Sequence, residues 1–207
     1  MNKIIRIEPT NPTTSLTWML GARCNYDCMY CPEKLHNKTS KHPSLETLKL
    51  MWMNFYNKTK NSNIPYKISF TGGEVTANKS FLPFVEYIRY GNFNVNQILV
   101  STNGSASQQY YERLTKVVDA ITFSTHSEFF NEQEFFDKVK NINALMIRPQ
   151  KSVHVNVMDE YWNQDRIVLY TRWLDQENIS YIINKIDYTT GTRSKPVLKG
   201  TLNFNYV

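Results

Sequence analysis

The chain has 207 residues, of which 41% are hydrophobic and 20% are charged, and its formal net charge is +6. This length and composition indicate a globular domain with one core, and they exclude a membrane span, because no run approaches ~18 apolar residues. The excess of Lys and Arg is compatible with a phosphate-bearing or nucleic-acid partner. Because the charges are dispersed, however, we expect a solvated basic surface and no nucleic-acid partner.

The predicted elements alternate between strands and helices from residue 15 onward. Six strands are predicted at 15–20, 66–70, 97–102, 120–125, 152–158 and 180–186. Five helices are predicted between them at 44–59, 80–91, 105–118, 131–145 and 165–178. This alternation predicts an α/β fold with a largely parallel sheet, whose strands all end at one edge, where such folds bind ligands.

The predicted core domain spans 1–186, with an N-terminal extension at 1–14. Residues 187–207 fit neither the helical nor the strand periodicity and are predicted to be a tail or lid. The start of the chain, MNKIIRIEPTNPTTS, contains no apolar run of the kind that signal peptides have. We therefore expect a cytoplasmic protein, in which clustered cysteines indicate metal or redox chemistry more often than disulfides.

The polar and glycine-rich motifs of the chain all follow predicted strands. A cysteine-containing loop follows the first strand, TGGE the second, STNGS the third and STHSE the fourth, while Asn156 lies within the fifth. Turns with a purely structural role would place such signals at both edges of the sheet. The sequence therefore predicts one site at the carboxyl edge.

All three cysteines of the chain lie in the loop ARCNYDCMYCPE, as Cys24, Cys28 and Cys31. Their C-x3-C-x2-C spacing allows three thiolates to hold three corners of a compact metal centre, and short spacings of this kind are typical of iron–sulfur clusters. A zinc site with His36 as the fourth ligand is the direct alternative, and three unrelated buried thiols are a third. The spacing favours the iron–sulfur cluster.

The TGGE motif provides Gly72, Gly73 and Glu74 at the end of the second strand. Two glycines let a ligand approach the backbone closely, and a carboxylate beside them can pair with an ammonium group. A tight turn with a solvent-exposed acid is the alternative interpretation of this motif on its own.

The two motifs together, in this order and on consecutive loops, resemble the radical S-adenosylmethionine (radical SAM) superfamily. The family motif C-x3-C-x2-aromatic-C is matched by the three cysteines and Tyr30, and TGGE after the second strand is similar to its second motif. The resemblance covers roughly residues 15–186. It implies a partial (β/α)6 TIM-like barrel with parallel strands.

The resemblance also implies the cofactors and the chemistry. Three cysteines would bind a [4Fe–4S] cluster and leave one iron for the amino and carboxylate groups of SAM. Reduction of the cluster then splits the sulfonium, which yields methionine and a 5′-deoxyadenosyl radical that abstracts a hydrogen atom from the substrate. The electron would come from an external one-electron reductant such as flavodoxin or ferredoxin.

The same resemblance implies which residues contact SAM. Glu74 would bind the SAM amino group, Gly72 and Gly73 would shape the approach, and Tyr30 would lie near the adenine. The remaining candidates follow or lie in strands three to five: Ser101, Thr102, Asn103, Ser124, His126, Val155 and Asn156. His126 is alternatively a surface histidine, and Asn103 with Gly104 a turn. No catalytic residue is predicted.

The substrate is open at this stage, a small molecule or a peptide. Because the chain has no further cysteine, thiolate-bound auxiliary clusters and a cysteinyl radical are excluded. Two other classes of function compete with a radical SAM enzyme. One is a non-catalytic Cys3His zinc-binding module, and the other is a degenerate cluster-binding regulatory protein.

Overall fold

The computed structural model describes residues 12–32, 36–61, 63–146 and 151–186. Its strands are β1 (Thr14–Met19), β2 (Tyr66–Thr71), β3 (Val95–Thr102), β4 (Ala120–Ser124), β5 (Ser152–Asp159) and β6 (Ser180–Lys185). Its helices are α1 (Leu45–Thr59), α2 (Phe81–Tyr90), α3 (Gln108–Leu114), α4 (Glu132–Leu145) and α5 (Gln164–Gln176), with a short 3₁₀ turn at Val75–Ala77. Most of the predicted extension 1–14 and all of the tail 187–207 lie outside the described residues.

The six strands form one parallel sheet in sequence order, β1-β2-β3-β4-β5-β6. Each helix connects two neighbouring strands, so all strands end at the same edge. This architecture confirms the predicted α/β fold, a partial (β/α)6 barrel. Among the described residues, no helix is both long enough and apolar enough to cross a membrane.

The two faces of the sheet differ in chemistry because strand side chains alternate. On one face, Phe70, Val100, Phe123 and Val155 are at most 1% exposed and pack with residues of all five helices. The other face is mostly polar and half-buried or exposed, with Lys67, Ser69, Thr71, Gln97, Ser101, Thr122, Ser124, His154 and Asn156. The polar face is therefore the one that remains open to ligands.

Helix boundaries follow the capping residues. Ser44 caps α1, because its Oγ accepts a hydrogen bond from the Thr47 N–H at 3.2 Å. The third helix is shorter than the predicted 105–118. Asn103 Oδ1 accepts from the Ser105 N–H at 3.0 Å in a turn, so Ser107 becomes the cap, with its Oγ accepting from the Tyr110 N–H at 3.2 Å.

The core is rich in aromatic rings, and several of them surround Trp52 on α1. The ring centroid of Trp52 is 5.4 Å from that of Phe93, 5.6 Å from that of Tyr56 and 5.9 Å from that of Tyr66. Trp52 is fully buried, whereas its neighbour Met51 is 47% exposed. The indole of Trp52 is therefore a central part of the packing of α1 against β2, to which Phe55 and Tyr56 also contribute through Tyr66.

We expect Trp52→Ala to lower the free energy of unfolding by about 3–5 kcal/mol, because the surrounding rings cannot fill the space. Urea unfolding followed by circular dichroism measures this change. Met51→Ala is the matched control on the exposed side of the same helix and should stay within about 0.5 kcal/mol of the unaltered protein. Equal effects of the two substitutions would contradict the packing described here.

Candidate functional site

The cysteine loop between β1 and α1 is closed by its own backbone hydrogen bonds. The Cys24 N–H donates to Asn37 O at 2.8 Å, and the Asn37 N–H donates to Ala22 O at 2.7 Å. Inside the loop, the Cys31 N–H donates to Cys28 O at 3.0 Å. These bonds fold the loop back over the carboxyl end of β1, so that its three thiols line one cavity.

The TGGE segment packs directly against the cysteine loop. The Gly73 N–H donates to Gly21 O and the Glu74 N–H donates to Arg23 O, both at 2.9 Å. A Cβ atom on Gly73 would lie 2.2 Å from Arg23 O, and Gly72 has a φ of +136°. Both positions therefore require glycine, one for close approach and one for its backbone conformation.

A cavity of about 190 Å³ lies between these two loops and the ends of β3 and β4. Eleven of its lining residues are predicted site residues: Cys24, Cys28, Tyr30, Cys31, Gly72, Gly73, Ser101, Thr102, Asn103, Ser124 and His126. Three more residues, Tyr26, His36 and Thr71, complete the lining. Tyr26 lies in the cysteine loop and Thr71 is the first residue of TGGE, so their positions in these two motifs could have predicted them as site residues.

Glu74 lies beneath the cavity wall and does not line the cavity. Its Oε1 accepts from the Thr76 N–H at 2.9 Å, from Thr76 Oγ1 at 2.6 Å and from Thr102 Oγ1 at 2.8 Å, while its Oε2 accepts from the Asn103 N–H at 2.6 Å. Burial raises the pKa of Glu74, and these hydrogen bonds oppose the rise. The carboxylate therefore joins the end of β2 to the end of β3, and its contact with a SAM amino group stays a prediction.

The two predicted residues of β5 lie apart from the cavity lining. The Val155 side chain is fully buried among the core residues on the helix side of the sheet. Asn156 is half-buried on the polar face, in register with Ser124, and its carbonyl accepts from the Thr125 N–H at 2.9 Å. Period-two alternation separates these neighbours, so the two side chains cannot face the same ligand.

His126 sits between the cysteine loop and β4. Its Nδ1 is 2.5 Å from the Tyr30 hydroxyl and 3.5 Å from Cys28 Sγ. Burial lowers the pKa of His126 to about 4, so the ring is neutral at pH 7. Burial also raises the pKa of the Cys28 and Cys24 thiols, so binding of a metal must displace their protons.

Two carboxylates follow β4 and β5 beside the cysteine loop: Glu128 belongs to the STHSE motif, whereas no sequence motif indicated Glu160. Glu128 Oε1 accepts from the Met29 N–H at 3.1 Å. Glu160 is 1% exposed and accepts hydrogen bonds from the backbone and hydroxyl of Ser127. Burial raises the pKa of Glu160 to about 7, although the hydrogen bonds from Ser127 act in the opposite direction.

His36, the alternative metal ligand, also lines the cavity. Its Nε2 is 2.9 Å from Asp27 Oδ1, and its buried Nδ1 has no hydrogen-bond partner. Across residues 12–32, 36–61, 63–146 and 151–186, no three His, Cys, Asp or Glu side chains are arranged to hold a single metal ion. A cluster differs from a single ion because each cysteine binds a different iron.

Comparison with known proteins gives both a sequence and a fold similarity. No family model matches the chain. A stretch of 84 residues is 38% identical to the GTP 3′,8-cyclase of Pasteurella multocida (strain Pm70), which covers 39% of this chain and 23% of that protein. The fold is similar to that of Streptococcus suis SuiB bound to precursor peptide SuiA, with a TM-score of 0.64 and 13% identity over 90% of this chain and 43% of SuiB.

The structure of SuiB bound to S-adenosylmethionine gives a TM-score of 0.63 at 13% identity, over 90% of this chain and 44% of SuiB. The present chain thus spans less than half the length of SuiB, and the match to the cyclase spans less than a quarter of that enzyme. The sequence match, the similarity in fold and the position of both motifs at one edge of the sheet all point to the same family resemblance. In part of its sequence and in its fold, the chain is thus similar to proteins of the radical SAM superfamily. In this chain, the cysteine loop and TGGE meet at the carboxyl edge of a six-stranded partial barrel.

Glu160 predicts a pH dependence of stability. Because its pKa is raised in the folded state, the folded protein holds a proton between about pH 4.5 and 7 that the unfolded chain has released. This contribution to stability is complete below about pH 4.5 and is lost as the pH rises toward 7. We expect Glu160→Gln to remove it, which changes the slope of unfolding free energy against pH by up to about 1.4 kcal/mol per unit.

Urea unfolding of the metal-free protein at a series of pH values measures this slope. Because His126 titrates near the lower end of the same range, the informative quantity is the difference between variants. Glu46→Gln is the control, since it removes a carboxylate from a solvated position in the first turn of α1. A Glu160→Gln curve parallel to that of the control would contradict the assignment.

Proposed function

We propose that this protein is a radical SAM enzyme that binds a [4Fe–4S] cluster and cleaves SAM reductively to abstract a hydrogen atom from its substrate. The observation that carries the proposal is the shared cavity of Cys24, Cys28 and Cys31, bounded by the two glycines of TGGE. We also propose a cytoplasmic location, where these thiols would stay reduced.

The donor set suits an iron–sulfur cluster with one iron that lacks a protein thiolate. Thiolates are the usual ligands of such clusters, and the chain has three cysteines. Cys24 Sγ is 3.4 Å from the Tyr26 backbone nitrogen, whose N–H points to it, and hydrogen bonds to sulfur raise the reduction potential of a cluster. Cys24, Cys28 and Cys31 would therefore hold the cluster, and Tyr26 would tune it.

SAM would bind beside the cluster along the carboxyl edge. When bound, the cluster and SAM together supply the 5′-deoxyadenosyl radical. Tyr30 is held by its contact with His126 and would position the adenine, while Ser101, Asn103 and Ser124 offer polar groups on the cavity wall. The cavity is smaller than the ~300–1,000 Å³ of typical small-molecule pockets, so SAM would extend from it along the polar face of the sheet.

The relatives named above suggest two substrate classes. The curated relative is a GTP 3′,8-cyclase, which suggests a nucleotide, and the structure of SuiB was determined with a precursor peptide bound, which suggests a peptide. The polar, open face of the sheet beyond Ser124 and Asn156 is compatible with either class. Deuterium transfer from labelled nucleotides or peptides into 5′-deoxyadenosine is the assay that would separate them.

A zinc-binding module is the second candidate, because one observation favours it. His36 lines the cavity with an unpartnered Nδ1, and its Nε2 contacts Asp27, as the second nitrogen of metal-bound histidines does. Metal analysis after anaerobic purification distinguishes the two: about four irons per chain support the enzyme, and one zinc supports the module. A chain with four irons that cleaves no SAM would instead be a cluster-binding regulatory protein.

We expect Cys28→Ala to abolish both the bound iron and the reductive cleavage of SAM, because two thiolates cannot retain the cluster. Iron content and 5′-deoxyadenosine formation with dithionite measure the two effects after anaerobic reconstitution. His36→Ala is the matched control in the same loop and should retain the iron. Loss of metal in His36→Ala together with zinc in the unaltered protein would overturn the proposed function.

We expect Glu74→Gln to retain the iron and to lower the free energy of unfolding by about 1–3 kcal/mol, because an amide nitrogen cannot accept the hydrogen bonds of a carboxylate oxygen. Because the Glu74 side chain joins the TGGE segment to Thr102 and Asn103 of the cavity wall, SAM affinity should fall as well, by at least about fivefold. Urea unfolding and equilibrium dialysis with SAM measure the two quantities. Unchanged stability would show that the buried hydrogen bonds of Glu74 do not contribute as described.

A further inference from the structure

A second cavity lies on the outer side of the cysteine loop. Its volume is about 600 Å³, and it is lined by Arg23, Cys24, Asn25, Lys38, His42, Pro43, Ser44, Ala77, Asn78, Lys79 and Ser80. Cys24 lines both this cavity and the one that holds all three thiols. The backbone around Cys24 is therefore a thin wall between the proposed cluster and the outer surface.

The rim of this outer cavity is positively charged. Arg23, Lys38 and Lys79 are exposed there, and Arg23 Nη1 donates to Ser40 O at 3.1 Å, which holds the guanidinium at the rim. In the part of the chain that the structure describes, the acidic group paired with these three cations is Asp27, whose Oδ2 is 3.9 Å from Lys38 Nζ. The rim therefore keeps an excess of positive charge.

Two further features strengthen the positive potential. The N-termini of α1 and α2 meet this cavity through Ser44 and Ser80, and helix N-termini carry partial positive charge. Lys41 is exposed in the same segment. His42 adds little, because burial and the neighbouring Arg23 lower its pKa. An acidic surface is the complementary partner.

We propose that this basic rim is the docking surface for an acidic, flavodoxin-like one-electron donor protein, and that the electron enters the cluster on the Cys24 side. The proposal rests on the proposed function, since it needs a cluster that must be reduced. The donor is oxidised by one electron and the cluster is reduced by one, with no other co-reactant.

The position of the rim favours a donor protein over a substrate anion. Electron transfer slows steeply with distance, so the redox group of a donor must approach a cluster ligand, and Cys24 is the ligand that reaches this surface. The cavity with all three thiols opens toward Ser101 and Ser124 on the polar face. A donor on the outer rim therefore leaves that face available to SAM and substrate.

The test compares two reductants on three proteins. In the first variant, Lys38→Gln, Lys41→Gln and Lys79→Gln are combined to neutralise the rim. In the control variant, Lys58→Gln, Lys60→Gln and Lys116→Gln remove three exposed lysines that precede β2 and β4, at the opposite edge of the sheet. SAM cleavage by each protein is measured with reduced flavodoxin and with dithionite, at low and high ionic strength.

We expect the rim variant to lose about tenfold in the flavodoxin-driven rate at low salt, with a weaker salt dependence than the unaltered protein. The control variant should lose less than about twofold, and dithionite should drive all three proteins equally, because a small reductant needs no docking. Equal flavodoxin-driven rates in the rim and control variants would overturn the docking surface.

Two further outcomes separate the possibilities. If dithionite drives no SAM cleavage in the unaltered protein, the proposed function fails, and flavodoxin binding measured by biolayer interferometry decides the docking surface independently. If pyrophosphate binds in calorimetry, and the rim variant loses this binding while its flavodoxin-driven rate is unchanged, the rim is a small-anion site and the docking proposal is wrong.

Discussion

The close backbone contact between the cysteine loop and TGGE is the constraint on which the candidate site depends. Hydrogen bonds from Gly73 and Glu74 to the carbonyls of Gly21 and Arg23 bring the two segments together at a distance that a Cβ atom on Gly73 would prevent. The thiols line the cavity because the loop that carries them is held against β2 in this way. A cofactor here would therefore meet a preformed backbone wall.

Stability and chemistry come from opposite faces of the same sheet. The aromatic residues of the helices pack against Phe70 and Phe123 on one face, while the polar face and the carboxyl edge hold the site. Because the five helices cover the first face, they leave the second open. Loops at the edge can thus differ among proteins of this fold without loss of the core.

The sequence predicts most of the fold because its local signals are strong. Ser44 and the alternation of strands and helices set the boundaries to within a few residues, and α3 deviates because Ser105 and Ser107 compete as caps. The cavity lining is predictable since parallel strands bring consecutive motifs to one edge. The hydrogen bond between Ser127 and Glu160 is not predictable, because these residues are 33 positions apart and no local pattern encodes their contact.

The hydrogen-bond network around Glu74 also has a defined direction. Thr102 has one hydroxyl proton, which it donates to the carboxylate, so the Tyr111 hydroxyl must donate its own proton to Thr102. The Gly104 N–H donates to the same Thr102 oxygen at 3.2 Å. The negative charge of Glu74 thereby orients the hydroxyl protons of Thr102 and Tyr111, along a chain of hydrogen bonds that runs from α3 to the end of β2. Protonation of Glu74 would release that orientation, so the order of the hydroxyls in this part of the core depends on a charge beneath the cavity that the three thiols line.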